Sequence, residues 1–258
     1  MKQVLEYLRY YLTAQTKFDV HSPFVFDLVT KVINDTTSIE GFEKIEKLRG
    51  ELLRNHNSIQ VTDFGTAWGG PKTYERKISA IAKHSAKPKK FGMLLSRIVK
   101  YFKPENILEL GTSFGISTMY FASGNPASKI ISIEGCPETA GVASGNFNKN
   151  NFKNIEIIIG GFDSTLSSAL NKFQKIDFVF FDGNHQKNST LNYFKQCLSH
   201  AQDKSIFIFD DINLSYEMKE AWLEIKSHPK VSVTVDLFMM GIVFFNPELS
   251  KQDFIIRF

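Results

Sequence analysis

In the run ILELGTSFGIS (107–117), Glu109 stands two residues before Gly111, and Gly115 follows four residues later, where an apolar strand gives way to a helix. Glycines at such a turn let backbone N–H groups approach a ligand closely, and the helix beyond them presents the positive end of its dipole. A pyrophosphate-binding turn spaces its glycines G-x-G-x-x-G, whereas the spacing here is G-x-x-x-G and the Glu109 carboxylate would repel a pyrophosphate. It suits an ammonium or a sulfonium. Glu134 ends the next apolar run, KIISIEG (129–135), 23 residues after Gly111. A carboxylate about 20 residues beyond such a turn can accept hydrogen bonds from both hydroxyls of a ribose. Farther along, Asp182 and His185 form D-x-x-H at the end of IDFVFFDGNH (176–185), and Asp210 and Asp211 sit in SIFIFDDIN (205–213). Histidine takes up a proton near neutral pH, so His185 is the candidate general base. Asp182 with Asp210 or Asp211 offers hard oxygen ligands for Mg²⁺, which would acidify a bound hydroxyl.

These residues need a scaffold that brings strand ends to one edge. Short apolar runs at 107, 129–135, 154–163, 176–185 and 205–213 alternate with helical stretches, the pattern of a parallel sheet. Ligands of such sheets sit beyond the carboxyl ends of the strands, where all the acidic residues named above fall. VSVTVDLF (231–238) and GIVFFN (241–246) are separated only by Met239 and Met240, too short for a crossover, and must pair antiparallel.

With these segments in this order, the chain resembles the class I S-adenosylmethionine-dependent methyltransferases. Within them it is similar to the catechol and caffeoyl-CoA type of O-methyltransferase, whose first motif reads E-x-G-x-x-x-G-x-S. Glu109, Gly111, Gly115 and Ser117 occupy its fixed positions, with Ser113 where the commoner form has a middle glycine. The resemblance covers residues 91–258. It implies an α/β fold with a Rossmann-like, seven-stranded, mostly parallel sheet ending in an antiparallel hairpin; residues 1–90, outside it, read as an N-terminal helical cap and substrate lid. It implies S-adenosylmethionine as cofactor, held by Glu109, Gly111, Thr112, Ser113, Gly115 and Ser117, with Glu134 and Gly135 at the ribose. Gly161, Phe162 and Asp163 fall at the adenine-side turn, and Asp182 completes the set. The activity implied is O-methylation of a small-molecule hydroxyl, with His185 and Asp182 catalytic, an Asp and His pairing similar to that of macrolide sugar O-methyltransferases. Where the family uses a metal, its ligands map to Asp182, Asp210 and Asp211. The family's Asp-Asn pair is replaced by Asp210-Asp211, followed by Ile212 before Asn213, so the ligand register stays open. The Asn/Asp-Pro-Pro-aromatic motif of amino-methylating nucleic-acid enzymes is not met by Asp182-Gly183-Asn184-His185, and the glutamate pair of arginine methyltransferases is missing.

Composition agrees with a globular enzyme: 258 residues, 43% apolar, 24 of them Phe. No apolar run reaches the ~18 residues of a membrane span. Cys136 and Cys197 have no metal-like spacing and read as reduced, buried side chains of a cytoplasmic protein. The net charge of +4 divides unevenly, with 18 Lys and Arg against 10 Asp and Glu in 1–104 and 13 against 17 in 105–258. Lysines and arginines crowd 72–103, where a nucleic-acid methyltransferase would have its RNA-binding face; a solvated helix face is the plainer reading, because no aromatics interleave the charges. A cofactor-binding protein without turnover is the third alternative. The first ninety residues read as helical, with stripes Val4, Leu5, Leu8, Tyr11, then Phe24, Leu28, Val32, then Ile45, Leu48, Leu52, and the first two helices offer a homodimer surface. Ser22 and Pro23 read as N-cap and first residue of the second helix. Asp63, Gly65 and Gly69 imitate the glycine motif. Pro71 and a charged stretch follow, however, so this segment reads as a loop near the substrate mouth, with Trp68 and Tyr74 as an apolar wall.

Overall fold

The computed structural model describes residues 2–37, 41–63 and 72–258. The chain divides into two compact units, Met1–Thr36 with Lys175–Phe258, and Thr37–Gln174.

The first unit begins with helix α1 (Lys2–Thr13) and α2 (Pro23–Leu28), the latter running into a π-helical turn at Val29–Ile33. Ser22 caps α2 by accepting from the Val25 N–H, with Pro23 at the first helical position as expected. After residue 175 come strand β6 (Ile176–Phe181), helix α9 (Lys187–Leu198), β7 (Ala201–Asp210), α10 (Tyr216–Ser227), β8 (Val233–Asp236), β9 (Met240–Phe244) and β10 (Gln252–Ile255). β6 and β7 are parallel, β9 is antiparallel to both β7 and β8, and β10 lies parallel to β8. The β8–β9 link turns through Leu237, Phe238 and Met239, with Phe238 at φ 68°, so Met240 belongs to the strand and not to the turn. Phenylalanines fill this unit: Phe181 stacks on Phe209 with ring centroids 4.3 Å apart, and Phe194 meets both Phe207 and Phe209 edge-on. On α1 the expected apolar stripe is not the packed one. Tyr10 and Ala14 are buried, Tyr7 and Tyr10 contact Phe238, and the Tyr10 hydroxyl donates to the Ile256 carbonyl. Leu5, Leu8 and Leu12 stay 63%, 50% and 81% exposed.

The second unit holds α3 (Phe42–Arg54), β1 (Ser58–Asp63), β2 (Lys72–Lys77), α4 (Ile78–Ser85), α5 (Lys89–Phe102), β3 (Asn106–Leu110), α6 (Ile116–Gly124), β4 (Lys129–Glu134), α7 (Pro137–Lys149), β5 (Ile155–Ile159) and α8 (Phe162–Leu170). Parallel β3, β4 and β5 lie side by side in that order. β3 and β4 are apolar on both faces because helices cover both sides of such a sheet. One core cluster joins α3 (Ile45, Leu48, Leu52) to α4 (Ile78, Ile81), α6 (Met119, Tyr120) and α7 (Ala143, Phe147). The Tyr120 hydroxyl donates to Glu46 at 2.8 Å, and Glu46 in turn receives Arg49.

Two elements differ from the sequence expectation. Residues 58–63 and 72–77 are not helical: β1 and β2 pair antiparallel, Ser58 opposite Lys77 through Asp63 opposite Lys72. The two units hold three and five strands of their larger ladders, eight where seven were expected, and β10 is the addition. The Gly65, Trp68 and Gly69 segment lies outside the described residues.

Candidate active site

The glycine turn after β3 is built by backbone geometry. Gly111 has φ 105° and Gly115 φ 81°, both in the region that side chains avoid. A Cβ on Gly115 would lie 2.3 Å from Cε1 of Phe147, which is itself buried in the core cluster. The N–H groups of Gly111 and Thr112 donate to the Ile133 carbonyl at 3.0 and 3.2 Å, tying the turn to β4. Asn146 of α7 donates to the Phe114 carbonyl at 3.0 Å and steadies its far side. Ser113 stands at φ 48°, strained for a residue with a side chain.

The carboxylates expected here sit differently from each other. Glu109 has no exposed surface; its Oε2 accepts from Thr118 at 2.5 Å and from Ser132 at 2.6 Å. As placed, its Oε2 fastens β3 to β4 and to the first turn of α6. Thr112 is equally enclosed, its hydroxyl 2.5 Å from that of Ser132. Ser117 lies buried in the first turn of α6.

Glu134 is the more open of the pair. Its Oε2 accepts the Ser113 N–H at 2.8 Å, and its Oε1 accepts the Cys136 N–H at 3.0 Å, so the carboxylate is aimed across the mouth of the turn. Burial pushes its pKa up, against the opposing pull of the backbone N–H groups of Cys136, Ser113 and Gly135. Each oxygen retains lone-pair capacity beyond one backbone bond, which is what a ribose diol needs. Gly161 caps α8 from the extended region, and Phe162 and Asp163 open that helix, Phe162 half-buried and Asp163 exposed.

In the other unit, the loop after β6 carries Asp182 and His185, and Asp211 follows β7. His185 Nε2 lies 4.0 Å from Asp182 Oδ1 and 3.8 Å from Asp211 Oδ2, with the three side chains 26%, 14% and 21% exposed. Two left-handed residues make this convergence: Asn184 at φ 51° swings the histidine round, and Asp211 at φ 54° breaks away from the line of β7. The side-chain amide of Asn184 donates to the Tyr193 hydroxyl at 3.2 Å, anchoring the loop to α9. Asp211 does not cap α10; Ser215 does, accepting from Met218. Asp210 is the last residue of β7 and buried.

The expected Mg²⁺ ligand set does not fit this arrangement. Mg²⁺ wants several oxygens at octahedral positions, and here the Asp182 and Asp211 carboxylates both face the Nε2 of His185, at 4.0 and 3.8 Å. Among the described residues no group of three or more His, Cys, Asp or Glu side chains is arranged to hold a metal. In the basic run at 72–103, Lys72, Lys77, Lys83, Lys89, Lys90, Lys100 and Lys103 are exposed. Arg97 is buried, Lys89 stacks on Phe42 with its ammonium 4.4 Å from the ring centroid, and burial lowers the Lys90 pKa. Tyr74, expected in an apolar wall, is 40% exposed on β2.

Sequence reasoning passed over Ser132, Ser85, Cys136 and Asn146. Ser132 carried a signal, a lone hydroxyl inside the apolar run KIISIE; the others act through partners that no local pattern reveals.

Residues 108–212 match the family model of the methyltransferase domain. The chain is 29% identical over 114 residues to the O-methyltransferase imqG of Aspergillus flavus, covering 42% of this chain and 45% of that protein, so the matched segment spans less than half the relative's length. Among solved structures, the O-methyltransferase of Bacillus cereus in complex with SAH superposes with a TM-score of 0.57 at 19% identity, covering 81% of this chain and 92% of the other. TomG of Streptomyces achromogenes, an O-methyltransferase involved in tomaymycin synthesis and crystallised with SAM, gives 0.55 at 18% identity over 62% and 82% of the two chains. Among the described residues no helix is long and apolar enough to cross a membrane.

Proposed function

We propose that this chain, which carries a methyltransferase domain over residues 108–212 in the class I fold, transfers the methyl group of S-adenosylmethionine to a hydroxyl of a small molecule. The observation that carries the reading is the convergence of Asp182 and Asp211 on the Nε2 of His185, at 4.0 and 3.8 Å. A base so placed serves a hydroxyl acceptor, whose oxygen must lose its proton as it gains the methyl group.

S-adenosylmethionine supplies a methyl group already activated on a sulfonium, which leaves binding, orientation and proton removal to the protein. Glu134 accepts the ribose hydroxyls, its aim fixed by Ser113 and Cys136. The backbone of Gly111 to Gly115 lies against the amino-acid end, and Gly161 to Asp163 border the adenine. His185 takes the acceptor's proton. With Nε2 facing the carboxylates, Nδ1 is the nitrogen that receives it, and Asp182 and Asp211 stabilise the imidazolium so formed. This route uses no metal. The preference for a small-molecule acceptor rests on the His185 site and not on the basic run, of whose ten side chains Arg97 alone is buried. The free, buried thiols of Cys136 and Cys197 support the cytoplasm as compartment.

The test has two steps. Calorimetric titration with S-adenosylhomocysteine should give micromolar binding, and its absence would overturn the cofactor reading. Labelled methyl transfer to a panel of sugars, phenols and lipid-linked glycans then identifies an acceptor, on which His185→Gln should lose about 10²- to 10⁴-fold in rate with little change in cofactor affinity. Turnover retained in that variant removes His185 as the base.

A further inference from the structure

We infer that Ser85, at the end of α4, is a positioning residue of the cofactor loop, and that β1 and α4 belong to the cofactor site rather than to a substrate cap alone. This rests on the cofactor reading above. The Ser113 hydroxyl donates to Ser85 Oγ at 2.7 Å, and Ser85 passes its own proton back to the Ile81 carbonyl at 3.0 Å. Ser113 is the strained residue of the loop, at φ 48°, and its N–H is the donor that holds Glu134 Oε2. A side chain in the left-handed region keeps that conformation only where its surroundings impose it. Ser85 supplies the restraint.

The same segment grips the other side of Glu134. Cys136, whose N–H holds Oε1, lies against β1: its thiol donates to the Gln60 carbonyl at 3.4 Å and accepts the Thr62 N–H at 3.3 Å. The Gln60 N–H is taken by the Glu138 carboxylate at 2.7 Å. Two of the three backbone donors that aim the carboxylate are therefore themselves fastened to β1 or α4, Ser113 by Ser85 and Cys136 by Gln60 and Thr62. Core packing of Ile78 and Ile81 against Phe114 and Phe147 gives the clamp a rigid base.

The experiment is a double-mutant cycle read by S-adenosylhomocysteine titration on the full chain, with thermal unfolding of each variant in parallel. Ser85→Ala should weaken binding about fivefold, the worth of one neutral hydrogen bond, and Ser113→Ala by a similar factor. The double variant should bind no worse than either single one, because the two hydroxyls make one contact. Ser85→Thr, which keeps the hydroxyl, should restore affinity, and Lys83→Ala on the exposed face of α4 should leave it unchanged. Wild-type affinity in Ser85→Ala, or losses that multiply in the double variant, would overturn the inference. A wild-type protein that fails to bind at all would instead overturn the cofactor reading, so the two failures are distinguishable.

Discussion

Replacing Glu134 separates what the protein needs for folding from what it keeps for a ligand. The carboxylate accepts the Ser113 N–H at 2.8 Å and the Cys136 N–H at 3.0 Å, yet burial outweighs them and its pKa is raised. The ionised group is thus less comfortable in the fold than in water. Because the folded-state pKa is the higher one, its stability contribution is fully present below the unfolded-state value and is lost as pH rises through the folded one. Glu134→Gln should accordingly cost little stability at neutral pH. Ribose hydroxyls, however, bond best to the ionised form, and hydrogen bonds to a charged group are worth roughly 1.5–3 kcal/mol, or about 10- to 150-fold in affinity. Glu134→Ala should weaken S-adenosylhomocysteine binding at least tenfold by calorimetry (~1.4 kcal/mol). In the wild type, affinity should fall as pH drops through a window above the ordinary carboxylate range, and Glu134→Gln should lose that dependence. An alanine variant within twofold of wild type, or a glutamine variant with the same pH profile, would refute the assignment.

Gly115→Ala combines a left-handed backbone with a Cβ 2.3 Å from the buried Phe147 ring; denaturant unfolding should show a loss of roughly 2–5 kcal/mol, and a change under ~0.5 kcal/mol would mean that the turn relaxes freely. Thr118→Val removes a donor from the enclosed Glu109 carboxylate, which should cost about 1.5–3 kcal/mol in the same assay. Methyl transfer to any acceptor should persist in chelator, because among the described residues no group of three or more His, Cys, Asp or Glu side chains is arranged to hold a metal; loss of turnover reversed by Mg²⁺ would restore the metal reading. On α1, Leu5, Leu8 and Leu12 recur at coiled-coil spacing while exposed, and with Val4 and Tyr11 they form an exposed apolar stripe. We therefore expect a dimer through α1 in sedimentation that Leu8→Lys dissociates; a monomeric wild type would end that proposal.

The parts of this fold that were legible in the sequence are those whose cause is local. Apolar runs ending in an acid identified β3 to β7, because a strand covered by helices on both faces has to be apolar throughout. The β8–β9 hairpin followed from chain length alone, since two or three residues cannot make a parallel crossover. The hairpin at 58–77 was hidden because β2, KTYERK, is exposed almost along its whole length and shows none of the apolar alternation that marks a half-buried strand. α1 misled for a related reason: it has two apolar stripes, and spacing cannot say which one the tertiary structure covers.

At the candidate site the division is sharper. Glu109 and Glu134 look alike in sequence, each closing a strand, and only their partners separate them. Thr118 and Ser132 take Glu109 into the interior, whereas Ser113 and Cys136 hold Glu134 at the rim by backbone alone. Core side chains bind the Oε2 of Glu109, whereas a carboxylate aimed by main-chain N–H groups keeps lone pairs at the rim for a ligand. The same reasoning distinguishes Asp211 from Asp210. Both end a strand, but the left-handed turn at Asp211 takes it out of the sheet's alternation and toward His185. A single residue with positive φ thus decides which of two adjacent aspartates can serve the imidazole, and that is a property of tertiary packing that no spacing of acids along the chain encodes.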